Sequence, residues 1–205
     1  MSPQAAFTVT WLAWYATWIA AGAWSGKTKV QMKTDLSGAS RVVASVGLVL
    51  MFWPSGRGRA GAGLEFLGAF TQRLWSSPTW LDWSFYGLLL CCFGFCWWAR
   101  LHLGRLWSGF VTLKEDHHIV DTGPYGLVRH PIYTGIMAAA VATALERASP
   151  AGMLGAVLLI VGFALVARTE EHFLRDQLGA AAYDAYSRRV PMLVPLTRPV
   201  RPCTP

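Results

Sequence analysis

The sequence predicts an all-α integral membrane protein with about five transmembrane helices. Two observations carry that expectation. Of 205 residues, 54% are hydrophobic and only 14% charged, where a soluble domain carries about 25% charged residues. The apolar residues also gather in five separate segments, alongside 11 Trp and 20 Gly. Extra Gly and Trp suit membrane helices with interfacial anchors.

The first apolar segment runs from Ala5 to Trp24 without a charge, and the second lies between Arg41 and Arg57. The third is Trp83–Ala99, the fourth Pro131–Leu145 and the fifth Ala148–Ala167. A helix needs about 20 apolar residues to cross a hydrocarbon layer about 30 Å thick. The first and fifth segments meet that length, while the other three need flanking residues. Gly56–Gly63 reads as a loop, and Leu64–Trp75 as a short interfacial helix. No internal repeat is visible. The four Cys show neither disulfide nor zinc spacing, and no metal is expected. The first segment has no Lys or Arg ahead of it, which argues against a signal peptide. Cys203 stands third from the end, not fourth, so the tail is not a prenylation box.

Positive charge predicts the orientation. With five spans, three regions fall on one side: Ser25–Arg41, Arg100–His130 and the tail after Ala167. They hold 14 of the 18 basic residues. That side is expected to be cytoplasmic, with the N-terminus outside. The net charge of +7 suits anionic lipid headgroups. The basic residues are scattered and accompany no binding motif, so nucleic acid is not an expected partner.

Polar residues concentrate in two stretches, Lys114–Gly135 and Arg168–Pro195, which hold four of the five His. The hairpin of segments four and five returns the chain to one face, so the stretches can meet. In the first, Gly123-Pro124 makes a turn and Pro131 suits the first turn of a helix. Arg129 and His130 then sit at a helix N-terminus, where free N–H groups favour an anionic or electron-rich ligand. The Arg129 fork can hold a carboxylate, and Tyr125 and Tyr133 add flat walls. The plain alternative is that Arg129 and His130 only anchor the helix at the interface. In the second stretch, Glu170 and Glu171 can accept hydrogen bonds from a ribose or an amine. Neighbours on a helix point about 100° apart, so the two cannot serve one ligand. The plain alternative is a solvated helix end with a Glu171–Arg175 ion pair at i,i+4. Packing is the expected job of Tyr183 and Tyr186.

Taken together, the stretches resemble the isoprenylcysteine carboxyl methyltransferase family, with its phospholipid N-methyltransferase relatives. The resemblance rests on His117, Ile119-Val120, Gly123-Pro124-Tyr125 and Arg129-His130-Pro131-Ile132-Tyr133-Thr134-Gly135. After the hairpin it continues through Arg168-Thr169-Glu170-Glu171, Gly179, Tyr183, Tyr186 and Arg189-Val190-Pro191. It covers about Leu101–Pro195, close to half the chain.

The resemblance implies an integral membrane enzyme using S-adenosylmethionine, with a cytoplasm-facing cofactor pocket formed by the C-terminal half, residues 101–205. Residues 1–100, with three transmembrane helices, would shape a substrate tunnel. It implies cofactor contact by His117, His118, Ile119, Val120, Tyr125, His130, Pro131, Tyr133 and one of Glu170 or Glu171. Arg168 and Arg129 become candidates for orienting the substrate. The expected partners are membrane lipids and a lipophilic or small membrane-soluble acceptor. A carboxylate or thiolate acceptor needs a positioning cation, whereas an amine needs a base such as His130 or a glutamate. The expected location is a bacterial inner membrane. Two other classes fit less well: a nicotinamide-dependent membrane reductase, which usually has more spans, and a non-enzymatic membrane scaffold.

Overall fold

The computed structural model describes residues 1–26, 28–31, 35–53, 65–107, 112–114 and 119–197. Five long helices form the body: α1 (Pro3–Gly22), α2 (Asp35–Met51), α4 (Thr79–Leu103), α6 (Pro131–Arg147) and α7 (Pro150–Leu178). Short helices α3 (Glu65–Thr71), α5 (Pro124–Leu127) and α8 (Ala180–Arg189) complete the helical elements, with one 3-10 turn after α4. The expectation of an all-α chain needs one amendment. Strands β1 (Thr28–Gln31) and β2 (Thr112–Lys114) pair antiparallel. The loops carrying them leave α1 and α4 side by side, held by the Gly26 N–H to Arg105 carbonyl bond of 2.8 Å. The stretch read as a loop at Gly56–Gly63 lies outside the described residues.

The starts of the helices follow from local chemistry. Ser2 accepts from the Ala5 N–H at the head of α1, and Ser149 accepts from the Gly152 N–H at the head of α7. Pro3, Pro131 and Pro150 occupy first-turn positions, where a missing N–H costs no helical bond. α7 runs on well past the apolar segment and stops only at Gly179, whose φ of +94° suits a residue without Cβ.

By length and composition, two of these helices can cross a bilayer unaided: Thr79–Leu106 and Pro150–Leu178. That is fewer than the five expected. The reason is physical. α1 has 20 residues but many are Trp and Thr, which are only weakly apolar. α2 and α6 have 17 residues each, a rise of about 25 Å.

The long helices nevertheless alternate in direction between two ends. At one end Arg100 Nη2 donates to the Ala21 carbonyl at 2.8 Å, tying the close of α4 to the close of α1. At the other, Arg147 Nε donates to the Met51 carbonyl at 3.0 Å, tying α6 to α2. There also Arg73 faces buried Glu146 at 3.6 Å.

Small residues let α2 and α7 approach backbone to backbone, as in membrane helix pairs. A Cβ built on Gly155 would stand 2.5 Å from the Gly47 carbonyl oxygen and 2.6 Å from the Met51 nitrogen. One on Gly162 would stand 2.7 Å from the Ser40 carbonyl oxygen. α1 attaches differently, through aromatic rings. Trp14 stacks on Trp18 and on Phe93 of α4, both at 4.8 Å. Trp11 Nε1 donates to Thr143 Oγ1 of α6 at 3.0 Å. α1 therefore leans on α4 and α6 while α2 leans on α7, and a cavity lies between them.

The close contact predicts that Gly155→Leu forces α2 off α7. The expected loss is about 1–3 kcal/mol or more, typical of overpacking, read as earlier thermal unfolding in detergent.

Candidate functional site

The cavity measures about 880 Å³. Its walls come from α1 (Trp11, Trp14, Trp18), α2 (Arg41, Leu48), Phe52 just after α2, α6, α7 and α8, with Ile119, Val120 and Tyr125 closing one end. The lining is mostly apolar, and its charged or titratable polar groups are few: Arg41, Arg129, His130, Glu170 and the tyrosines.

At that end the two polar stretches meet. Arg129 Nε donates to Glu171 Oε1 at 2.6 Å and Nη2 donates to Glu171 Oε2 at 3.0 Å. Nη1 donates to the carbonyls of Ser187 and Val190 at 3.0 and 2.6 Å. One guanidinium thus joins the head of α6, the extension of α7 and the close of α8. His130 Nε2 lies 3.3 Å from the same Glu171 oxygen. His130 also stacks on Tyr133, with ring centroids 5.4 Å apart and planes 6° apart. The Tyr133 hydroxyl donates to Glu170 Oε2 at 2.8 Å.

The adjacent glutamates divide the work, as their angular separation requires. Glu171 turns to Arg129 and His130, while Glu170 lines the cavity beside Tyr133. The Glu171–Arg175 pair of the plain alternative does not form. Arg175 instead forks onto Asp184 at 2.8 and 3.1 Å, because Gly179 folds α8 back alongside α7. That bond holds the Asp184 carboxyl below its usual range.

Two expectations for Arg129 are corrected. Its fork does hold a carboxylate, but an internal one, and the side chain is buried. The N–H groups ahead of α6 are also occupied. Arg129 N–H donates to the Pro191 carbonyl at 2.9 Å and His130 N–H to the Met192 carbonyl at 3.1 Å. Thr134 Oγ1 donates to the Leu193 carbonyl at 2.6 Å. The segment after α8 therefore takes up the two N–H groups just ahead of α6.

The remaining candidates fall into clear places. Ile119, Val120, Tyr125, His130, Pro131, Tyr133 and Glu170 line the cavity. His117 and His118 lie outside the described residues. Arg168 is exposed and is not in the lining. Tyr183 and Tyr186 pack edge to face at 6.2 Å, and the Tyr186 hydroxyl donates to the Tyr125 carbonyl at 2.8 Å. Both also line the cavity. Burial pushes the phenols of Tyr125, Tyr183 and Tyr186 up, so all three stay neutral. Sequence reasoning missed Arg41 and the α1 tryptophans as lining residues. Their only sequence signal was a stripe at helical spacing, Trp11, Trp14 and Trp18, which packing alone also produces. Among the described residues no group of three or more His, Cys, Asp or Glu stands close enough to hold a metal.

Residues 83–181 match the family model for phospholipid methyltransferase. Protein-S-isoprenylcysteine O-methyltransferase B of Arabidopsis thaliana is 33% identical over 100 residues, 47% of this chain and 50% of the relative. Protein-S-isoprenylcysteine O-methyltransferase of Schizosaccharomyces pombe is 32% identical over 101 residues, 48% of this chain and 42% of the relative. The nickel-cobalt-cadmium resistance protein NccN of Alcaligenes xylosoxydans xylosoxydans is 32% identical over 98 residues, 45% of this chain and 44% of the relative. The chain spans half or less of the length of these curated relatives. The segment 83–181 thus carries the phospholipid methyltransferase pattern, and the chain resembles the isoprenylcysteine carboxyl methyltransferase family.

The shared guanidinium yields a stability prediction. Glu171→Gln leaves Arg129 buried without its counter-charge and should cost about 3 kcal/mol, the lower end for breaking a buried pair. Glu170→Gln should cost far less. Thermal unfolding followed by near-ultraviolet circular dichroism in detergent compares the two, and equal losses would contradict the division between the glutamates.

Proposed function

We propose that the chain is an integral membrane methyltransferase that uses S-adenosylmethionine and acts on a lipophilic acceptor. In this reading all five long helices cross the bilayer, with α1, α2 and α6 completed by interfacial residues. The N-terminus faces outward and the site end faces the cytoplasm of a bacterial cell. The alternation of the helices and the basic residues near the site end support that arrangement.

The observation that carries the reading is the closure of one cavity by Tyr133–Glu170, locked from behind by Arg129–Glu171. The lining fits the cofactor. Aromatic faces at Tyr125, His130 and Tyr133 suit an adenine ring and attract a sulfonium cation. Glu170 accepts hydrogen bonds, which suits a ribose or an ammonium group. The volume lies within the range of ligand pockets.

When bound, S-adenosylmethionine supplies an activated methyl group on a positively charged sulfur. The residues of the chain then have three tasks. Glu170 and Tyr133 hold the polar part of the donor. The tryptophans of α1 and Phe52 at the close of α2 exclude water and hold an apolar acceptor against it, so that alignment and dehydration lower the barrier. Arg129 works through Glu171 and the docked segment, so it is a positioning residue and not a substrate contact. Arg168, outside the cavity, is not assigned a substrate role.

Titration calorimetry in detergent tests the assignment. Wild-type protein should bind S-adenosylmethionine and not reduced nicotinamide cofactor. Glu170→Ala should weaken binding by about tenfold, the worth of one charge-assisted hydrogen bond. Binding of nicotinamide instead, or an unchanged affinity in Glu170→Ala, would overturn it.

A further inference from the structure

The fifth histidine, His102, stands apart from the two polar stretches. It lies in the last turn of α4, two residues before Gly104, whose φ is +58°. It is exposed and outside the cavity lining, yet its ring reaches the turn that closes the cavity. His102 Nε2 and Thr122 Oγ1 share a hydrogen bond of 2.9 Å. The same ring lies over Tyr125, with centroids 6.4 Å apart and planes 23° apart. A Cβ built on Gly123 would stand 2.8 Å from His102 Cε1 and 3.0 Å from its Nδ1. The ring therefore fills space that only a glycine leaves.

The turn bears on the site through Tyr125, which is buried and lines the cavity. Tyr125 N–H donates to the Thr122 carbonyl and Gly126 N–H to the Gly123 carbonyl, each at 3.1 Å. On one side the turn is tied to α8. There the Tyr186 hydroxyl donates to the Tyr125 carbonyl at 2.8 Å, and Arg189 pairs with Asp121 at 3.0 Å. That ion pair is exposed, and such pairs are worth little. Among the described residues, His102 is what hydrogen-bonds the turn to α4. The close of α4 is itself held from behind, because buried Arg100 donates to the Ala21 carbonyl of α1. His102 thus joins a fixed helix end to the turn.

Flat ring contacts permit sliding, whereas a hydrogen bond fixes direction. We propose that His102 is a positioning residue for the methyl donor. Through Thr122 it sets the Gly123-Pro124 turn, and with it the face that Tyr125 presents to the cavity. This rests on the methyltransferase reading above. His102 acts without touching the donor. The contact needs no particular tautomer, because a hydroxyl both donates and accepts.

The test uses the full chain in phosphatidylcholine nanodiscs, as wild type, His102→Phe, His102→Gln, Thr122→Val and the His102→Phe/Thr122→Val double variant. Phe keeps a flat ring without the bond, whereas Gln brings a polar group to Thr122 without the ring. Hydrogen exchange without cofactor, followed by mass spectrometry, reads the Tyr125 and Gly126 amides. Exchange there should quicken about threefold to tenfold in His102→Phe and in Thr122→Val, the range for one neutral hydrogen bond. The double variant should add nothing further, because both changes remove the same bond. By titration calorimetry, S-adenosylmethionine affinity should fall about threefold in His102→Phe and Thr122→Val, the lower part of that range. His102→Gln should bind it nearly as wild type does. Packing alone would rank Phe above Gln. That ranking, additive losses in the double variant, equal donor affinity in all five proteins, or unchanged exchange in both single variants would each overturn the proposal. Failure of wild-type protein to bind S-adenosylmethionine would instead overturn the methyltransferase reading, while exchange without cofactor would still decide whether His102 holds the turn.

Discussion

The Arg129 guanidinium is the joint on which the rest of the site depends. It binds a carboxylate from α7 and two carbonyls from the close of α8, all at 3.0 Å or less. Taking that charge out of water is costly unless every donor finds a partner. The partners come from α7 and the close of α8, 42 to 61 residues further along the chain, so satisfying the arginine assembles the site. Glu171 is held by the joint, which leaves Glu170 to face inward. The segment after α8 is held too, and it covers the head of α6.

Behind this polar joint the body has two halves of different character. α2 and α7 meet through glycines, backbone against backbone, which gives a rigid seam without large side chains. α1 meets α4 through stacked tryptophans and Phe93, which fill space with wide, flat surfaces. The cavity lies between the halves because α1 and α2 each have a better partner elsewhere. A chamber with a rigid glycine-packed wall on one side and an aromatic wall on the other can hold a polar donor at one end and an apolar acceptor along its length.

Much of the site was legible because local spacing controls it. The step from His130 to Tyr133 is one helical turn, and the rings do stack. Glu170 and Glu171 are neighbours on a helix, so one had to turn away from any shared ligand. The hairpin of α6 and α7 brought the two polar stretches to one end. What was not legible depends on distant partners. Nothing near Arg129 in sequence announces that its fork is satisfied internally by Glu171, 42 residues away. The docking of Pro191 and Met192 is equally remote. Arg175 pairs across the Gly179 bend, where the i,i+4 rule no longer applies. Arg41 looked like one more basic residue on the cytoplasmic side, since its place in the cavity depends on how α2 lies against α7. The β1–β2 ribbon depends on pairing between loops more than 80 residues apart.

The central claim is that one donor sits between the Tyr125–Tyr133 region and Glu170. Ultraviolet crosslinking of methyl-labelled S-adenosylmethionine to the protein, followed by peptide mapping, tests it most directly. Saturable label on peptides carrying Tyr125–Tyr133 and Phe163–Leu174 is the predicted result. Label confined to the far end near Arg73 and Glu146, or no saturable label, would contradict it.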